Sequence, residues 1–124
     1  MEKQINKVEN LSELSNLLKI ISEPNRLRIL ESIFQGVQCN CELGSELDIA
    51  PNLISHHLSV LRDAGIIETE RAPHDARWIY YSINTSKLEE IKTLLNNFFD
   101  PSRVQPRQLT CGPRFEKEPL LKVG

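Results

Sequence analysis

Apolar residues recur at helical spacing in several separate stretches of the chain. Residues 11–21 carry them at 11, 14, 17, 18 and 21, which predicts a first helix. Glu23-Pro24 interrupts that period, and Pro24 suits the first turn of a second helix over 25–34. That segment is apolar at 27, 29, 30, 33 and 34, and Gly36 can end it. A short third helix follows over 40–47, with Leu43 and Leu47 on one side. Residues 48–51 form a turn, Pro51-Asn52 opens a fourth helix, and Gly65 closes it. Two strands, 66–71 and 78–83, then flank a turn-prone loop over 72–77. Asn84-Thr-Ser86 caps a last helix over 87–99, apolar at 88, 91, 94, 95, 98 and 99.

The fourth helix has two different faces. Ile54, Leu58 and Leu61 share one side and are expected to pack on the second and third helices. The other side presents Asn52, Ser55, His56, Ser59 and Arg62. Short hydrogen-bonding groups of this kind suit base edges in a major groove, and the arginine suits a phosphate. An ordinary amphipathic helix with a solvated side has the same period. The strand-loop-strand that follows favours the groove reading, with Arg77 expected at the loop tip for a minor-groove or phosphate contact. His57 lies toward the apolar side and is read as structural, while His74 in the loop is read as exposed. A short helix, this helix and a hairpin make the layout of a winged helix-turn-helix: mainly α, with a β-hairpin wing. Double-stranded DNA is the expected partner.

Composition narrows the class. At 124 residues the chain has the size of one domain, and 40% hydrophobic with 26% charged residues is ordinary for a globular protein. No apolar run approaches the roughly 18 residues of a membrane span, and the first ten residues are too polar for a signal peptide. The expected compartment is the cytoplasm, where three cysteines serve as ligands or sensors rather than staples. The net charge of −2 neither supports nor opposes DNA binding, because phosphate contacts act locally. Composition shifts at Pro101: four of seven prolines lie in 101–124, whose five basic and two acidic residues give +3. Residues 1–100 are therefore read as the DNA-binding and dimerisation domain, and 101–124 as an extended tail carrying Cys111.

Three motifs, Glu23-Pro-Asn-Arg-Leu-Arg-Ile-Leu30, Ile54-Ser-His-His-Leu-Ser-Val-Leu-Arg-Asp-Ala-Gly-Ile-Ile67 and Arg77-Trp-Ile-Tyr-Tyr-Ser82, together resemble the ArsR/SmtB family of metal-responsive repressors. The resemblance spans about residues 11–100. It implies a homodimer joined through the first and last helices, with two reading helices about 34 Å apart on an inverted repeat. The apolar faces of those two helices also exceed what one small core needs.

The resemblance further implies that Cys39-Asn-Cys41, at the start of the third helix, is an inducer site. Arsenic sensors of this family most often add a third cysteine one turn later, where this chain has Gly44. Cys111 is the one remaining thiol, from either subunit. Residues i and i+2 inside a helix point about 200° apart, so capturing one ion with both thiolates is expected to distort the first turn. Three thiolates with no nearby carboxylate or imidazole favour a soft ion, and trivalent arsenic or antimony fits three sulfurs, whereas zinc wants a fourth ligand. The bland alternative is two small buried residues and an incidental tail cysteine. A second family site, zinc held by histidine and acidic residues of the last helix, is not expected, since 87–100 contain no histidine.

Two other functions compete with a metalloid-responsive repressor. A thiol redox sensor would join Cys111 to Cys39 or Cys41, and a cadmium, lead or zinc sensor would use the same fold. An enzyme is not expected: the chain has no Gly-rich phosphate loop, no Cys-x-x-Cys and no Cys-x5-Arg cradle. No resident cofactor is expected.

Overall fold

The computed structural model describes residues 2–37 and 39–107, with side chains from residue 11 onward. Cys111, and with it the expected third thiol, lies outside the described residues. The elements run α1 (Glu2–Ile21), α2 (Pro24–Phe34), α3 (Asn40–Leu47), α4 (Pro51–Asp63), β1 (Ile67–Ala72), β2 (Asp75–Ile83) and α5 (Thr85–Phe98), followed by a 3-10 turn at Pro101–Arg103. This is the winged helix-turn-helix layout that the periodicity predicts. α1 begins nine residues earlier than the apolar period does, because its first turns are rich in Glu, Lys and Gln, which are good helix formers.

Caps fix the helix starts. The Glu23 carboxylate accepts from the Asn25 and Arg26 N–H groups at 2.7 and 3.2 Å, with Pro24 in the first turn of α2. Asn84 Oδ1 accepts from the Lys87 N–H at 3.1 Å and starts α5. Gly65, at φ +81°, turns the chain out of α4 in a left-handed conformation that other residues rarely adopt. The core joins Ile29 of α2, Leu43 of α3, Ile54, Leu58 and Leu61 of α4, and Ile67 of β1, all fully buried. Burying side chains of this size contributes about 1.5–3 kcal/mol each. The expected inner face of α4 is thus the observed one.

The hairpin departs from expectation. β1 and β2 pair antiparallel from Ile67↔Ile83 to Arg71↔Ile79, and the register then jumps to Ala72↔Asp75. The turn is only Pro73-His74, and Ala76, Arg77 and Trp78 bulge from β2. Arg77 is therefore not at the wing tip. It is held in the strand by Asp75, whose carboxylate accepts from the Arg77 backbone N–H at 3.1 Å and from its guanidinium at 2.9 and 2.8 Å.

Large apolar side chains stay uncovered on α1 and α5. Leu11, Leu18, Phe98 and Phe99 are exposed, and the first two and Phe98 line one groove between the helices.

Candidate functional site

The outward face of α4 presents what the period predicts. Asn52, Ser55, His56 and Arg62 are exposed, and Ser59 is half-buried. Arg62 reaches Asp63 at 3.4 Å, an exposed pair of little energetic weight that leaves the cation available. Leu53 is also exposed at the start of this face, a contact surface that polarity alone does not reveal.

Beneath that face, His57 is buried, as read from its position. Arg26 Nε–H donates to His57 Nδ1 at 3.2 Å, and Arg26 also donates to the Ile20 carbonyl at 3.1 Å. The Glu23 carboxylate stands 4.0 Å from His57 Nε2. Burial holds the imidazole below its ordinary pKa. The neutral ring, protonated at Nε2, is thus a fixed strut between α2 and the reading helix. The pairing of Arg26 with His57 spans 31 positions, and no local pattern points to it.

The two thiols meet. Cys39 Sγ lies 3.2 Å from Cys41 Sγ. This corrects the expectation that an i, i+2 pair diverges unless the helix unwinds. Cys39 is the N-cap of α3, extended at φ −113° and ψ 160°, so it stands outside the helix and turns its sulfur back over the first turn. A reciprocal capping box fixes that geometry, with Glu42 Oε1 accepting from the Cys39 N–H at 3.2 Å. At metal–sulfur distances of about 2.3 Å, this separation subtends about 90° at a shared ion.

The sulfurs differ in environment. Cys39 is buried and Cys41 exposed. Burial, helped by the hydrogen bond to Cys41, pushes the Cys39 thiol up to about 11. The Cys39 backbone also forms an antiparallel bridge to Tyr80 of β2. The thiol pair is thereby tied to the wing as well as to α3, a link that sequence spacing does not reveal. Among the described residues, no three His, Cys, Asp or Glu side chains converge as a metal cage. An open cleft of about 400 Å³ adjoins the pair, lined by Asn40, Cys41, Arg77, Trp78 and Ile79.

Residues 23–69 match the family described as bacterial regulatory protein, arsR family. Over 87 residues the chain is 32% identical to the transcriptional repressor SdpR of Bacillus subtilis, covering 70% of this chain and 93% of that protein. It is 33% identical to the arsenical resistance operon repressor of Staphylococcus aureus, over 68% of this chain and 78% of the other. The crystal structure of the transcriptional repressor BigR from Xylella fastidiosa matches with a TM-score of 0.57 at 29% identity, covering 80% of this chain and 96% of that one. The protein belongs to the ArsR family of bacterial regulatory proteins, and is a DNA-binding transcriptional regulator rather than an enzyme.

Proposed function

We propose that this protein is a homodimeric repressor that leaves its operator when trivalent arsenic or antimony binds Cys39 and Cys41, with Cys111 as the third thiolate. The observation that carries the reading is the 3.2 Å approach of two thiols at a helix N-cap. The likeness to an arsenical resistance operon repressor supports it. Arsenous acid exchanges its hydroxyls for thiols, forming As–S bonds and releasing water, with arsenic remaining trivalent.

Release follows from linkage. Cys39 is at once a ligand, the cap of α3 and a backbone partner of Tyr80. An ion that draws this preformed pair toward the third thiolate, Cys111, strains the α3 start, which packs on α4, and the seam to the wing. A ligand favouring that conformer lowers operator affinity by the factor by which DNA lowers ligand affinity. In this reading Asn52, Ser55, His56 and Ser59 face bases, Arg62 faces a phosphate, and Arg77 does so on exchanging Asp75 for DNA, with α1 and α5 joining the subunits. Action in the cytoplasm accords with the described residues, where no helix is long and apolar enough to cross a membrane.

A gel shift on the protein's own promoter, under reducing conditions, tests the reading. Arsenite is expected to release the DNA, with zinc ineffective. Retention at saturating arsenite, with release by cadmium or only by oxidant, would transfer the assignment to a divalent-ion or redox sensor of the same fold.

A further inference from the structure

We propose that the inducer pocket takes trivalent arsenicals carrying one organic substituent, held by Cys39 and Cys41 alone, with the substituent lying against Trp78 in the adjoining cleft. This rests on the reading of Cys39 and Cys41 as the arsenic ligands, and deepens it by naming the ligand class.

Three observations converge on it. Cys39 and Cys41 bring two thiols together, and Gly44 stands where the same helix face would supply another. A monosubstituted arsenical has two exchangeable oxygens, so a dithiol satisfies it without a third ligand. The balance is R–As(OH)2 plus two Cys–SH giving R–As(S–Cys)2 plus two H2O. Two As–O and two S–H bonds break, two As–S bonds form, and arsenic stays trivalent. The 3.2 Å sulfur separation matches the near-right angle such a centre requires.

The third arsenic substituent must then have somewhere to lie. Cys41, the exposed partner, shares its cleft with Trp78 and Ile79, an aromatic and an aliphatic wall. The cleft's volume of about 400 Å³ exceeds the roughly 150 Å³ of an apolar cavity that holds benzene. Trp78 lines this space where the register jump bulges it from β2, and it is 46% exposed. Asp75 keeps the Arg77 guanidinium at the rim occupied, which lessens the cost of placing an apolar group beside it.

The test uses the full chain with Cys111→Ser, in a phosphine reductant that does not compete as a thiol. Phenylarsine oxide, which hydrates to the dihydroxy form, and arsenite are titrated against protein bound to its own promoter. Trp78 is the sole tryptophan, so its fluorescence reports on the cleft directly. Phenylarsine oxide is expected to bind one per chain, to change that fluorescence and to release DNA at least about tenfold below the arsenite concentration needed. Trp78→Ala should erode the advantage, and Trp78→Phe should keep most of it.

An equal response to both arsenicals, or an advantage untouched by Trp78→Ala, overturns the cleft proposal and leaves arsenic sensing intact. Release of the Cys111→Ser variant by phenylarsine oxide but not by arsenite, with the advantage eroded in Trp78→Ala, upholds the cleft; failure of arsenite on the Cys111-containing parent removes inorganic arsenic as inducer. Indifference of the variant to phenylarsine oxide and of the parent to arsenite defeats the two together.

Discussion

Cys39 and Tyr80 are joined backbone to backbone across the gap between the α3 cap and the wing strand. One residue therefore offers a sulfur to a ligand, starts a helix and touches the DNA-binding hairpin. In the proposed reading, the ligand site and the wing share this single position.

Replacing Cys39 separates its roles. Serine is a stronger N-cap than cysteine and nearly the same size, so Cys39→Ser keeps α3 capped. Promoter affinity is expected within about twofold of the parent and thermal stability unchanged or higher. The arsenite concentration for half-release should rise at least about tenfold. A gel shift with and without arsenite measures both, and loss of DNA binding in the variant would show that the sulfur is structural.

Proton stoichiometry distinguishes the inducers. Cys39 holds its proton at neutral pH, its thiol being raised to about 11 by burial. Arsenous acid takes up thiols with release of water and no net proton, so arsenite affinity should be nearly flat between about pH 6 and 8. A divalent ion must expel the proton. Cadmium affinity should climb with pH, by about tenfold per unit for each thiol still protonated. Titration calorimetry in buffers of different ionisation enthalpy reads the protons directly.

His57 sets an acid limit on the fold. Burial lowers its pKa, the charges of Arg26 and His56 act the same way, and Glu23 opposes them. As pH falls, the unfolded chain takes up this proton before the folded chain does. The contribution to stability is complete above about pH 6.5 and declines below it until the folded pKa is passed. Urea midpoints should fall accordingly, and His57→Asn, which can still accept from Arg26 but does not titrate, should show a shallower decline. Parallel slopes would assign the acid sensitivity elsewhere.

The uncovered faces of α1 and α5 make the subunit contact testable. Leu18 and Phe98 are 39% and 38% exposed and line one groove. Charge at such partly exposed positions in a monomer would alter stability little. Leu18→Glu and Phe98→Glu are expected to convert a dimer to monomers in sedimentation velocity and to weaken promoter binding, since each half-site would be held alone. A parent chain already monomeric at micromolar concentration would refute this interface.

Much of the architecture was legible in the chain. α2, α3 and α4 follow the apolar period to within a residue, because each buries one face against the others. Gly36 and Gly65 end helices as expected, both at positive φ. The wing was less legible: the cluster Ala72-Pro-His-Asp-Ala-Arg77 reads as one loop, yet Asp75 binds Arg77 and restores strand geometry three residues early. The thiol geometry was hidden for a different reason. Periodicity treats residue 39 as part of a helix, whereas the capping box makes it the residue before one, and a cap points its side chain where an interior residue cannot. The Arg26–His57 and Cys39–Tyr80 contacts were invisible because they join residues far apart along the chain.

Gly44 has a consequence for how such a pocket changes over time. A Cβ built there would meet only the Ile49 carbonyl oxygen, at an unstrained 3.7 Å, and position 44 lies one turn beyond Cys41 on the same side of α3. The backbone is already helical, so a larger residue would gain about 0.5–1 kcal/mol of helix propensity. The Cβ of a cysteine there meets no clash. If Cys39 and Cys41 hold an ion as proposed, the glycine leaves that crater one substitution short of self-sufficiency, and a lineage can trade ligand preferences at that position without rebuilding the scaffold.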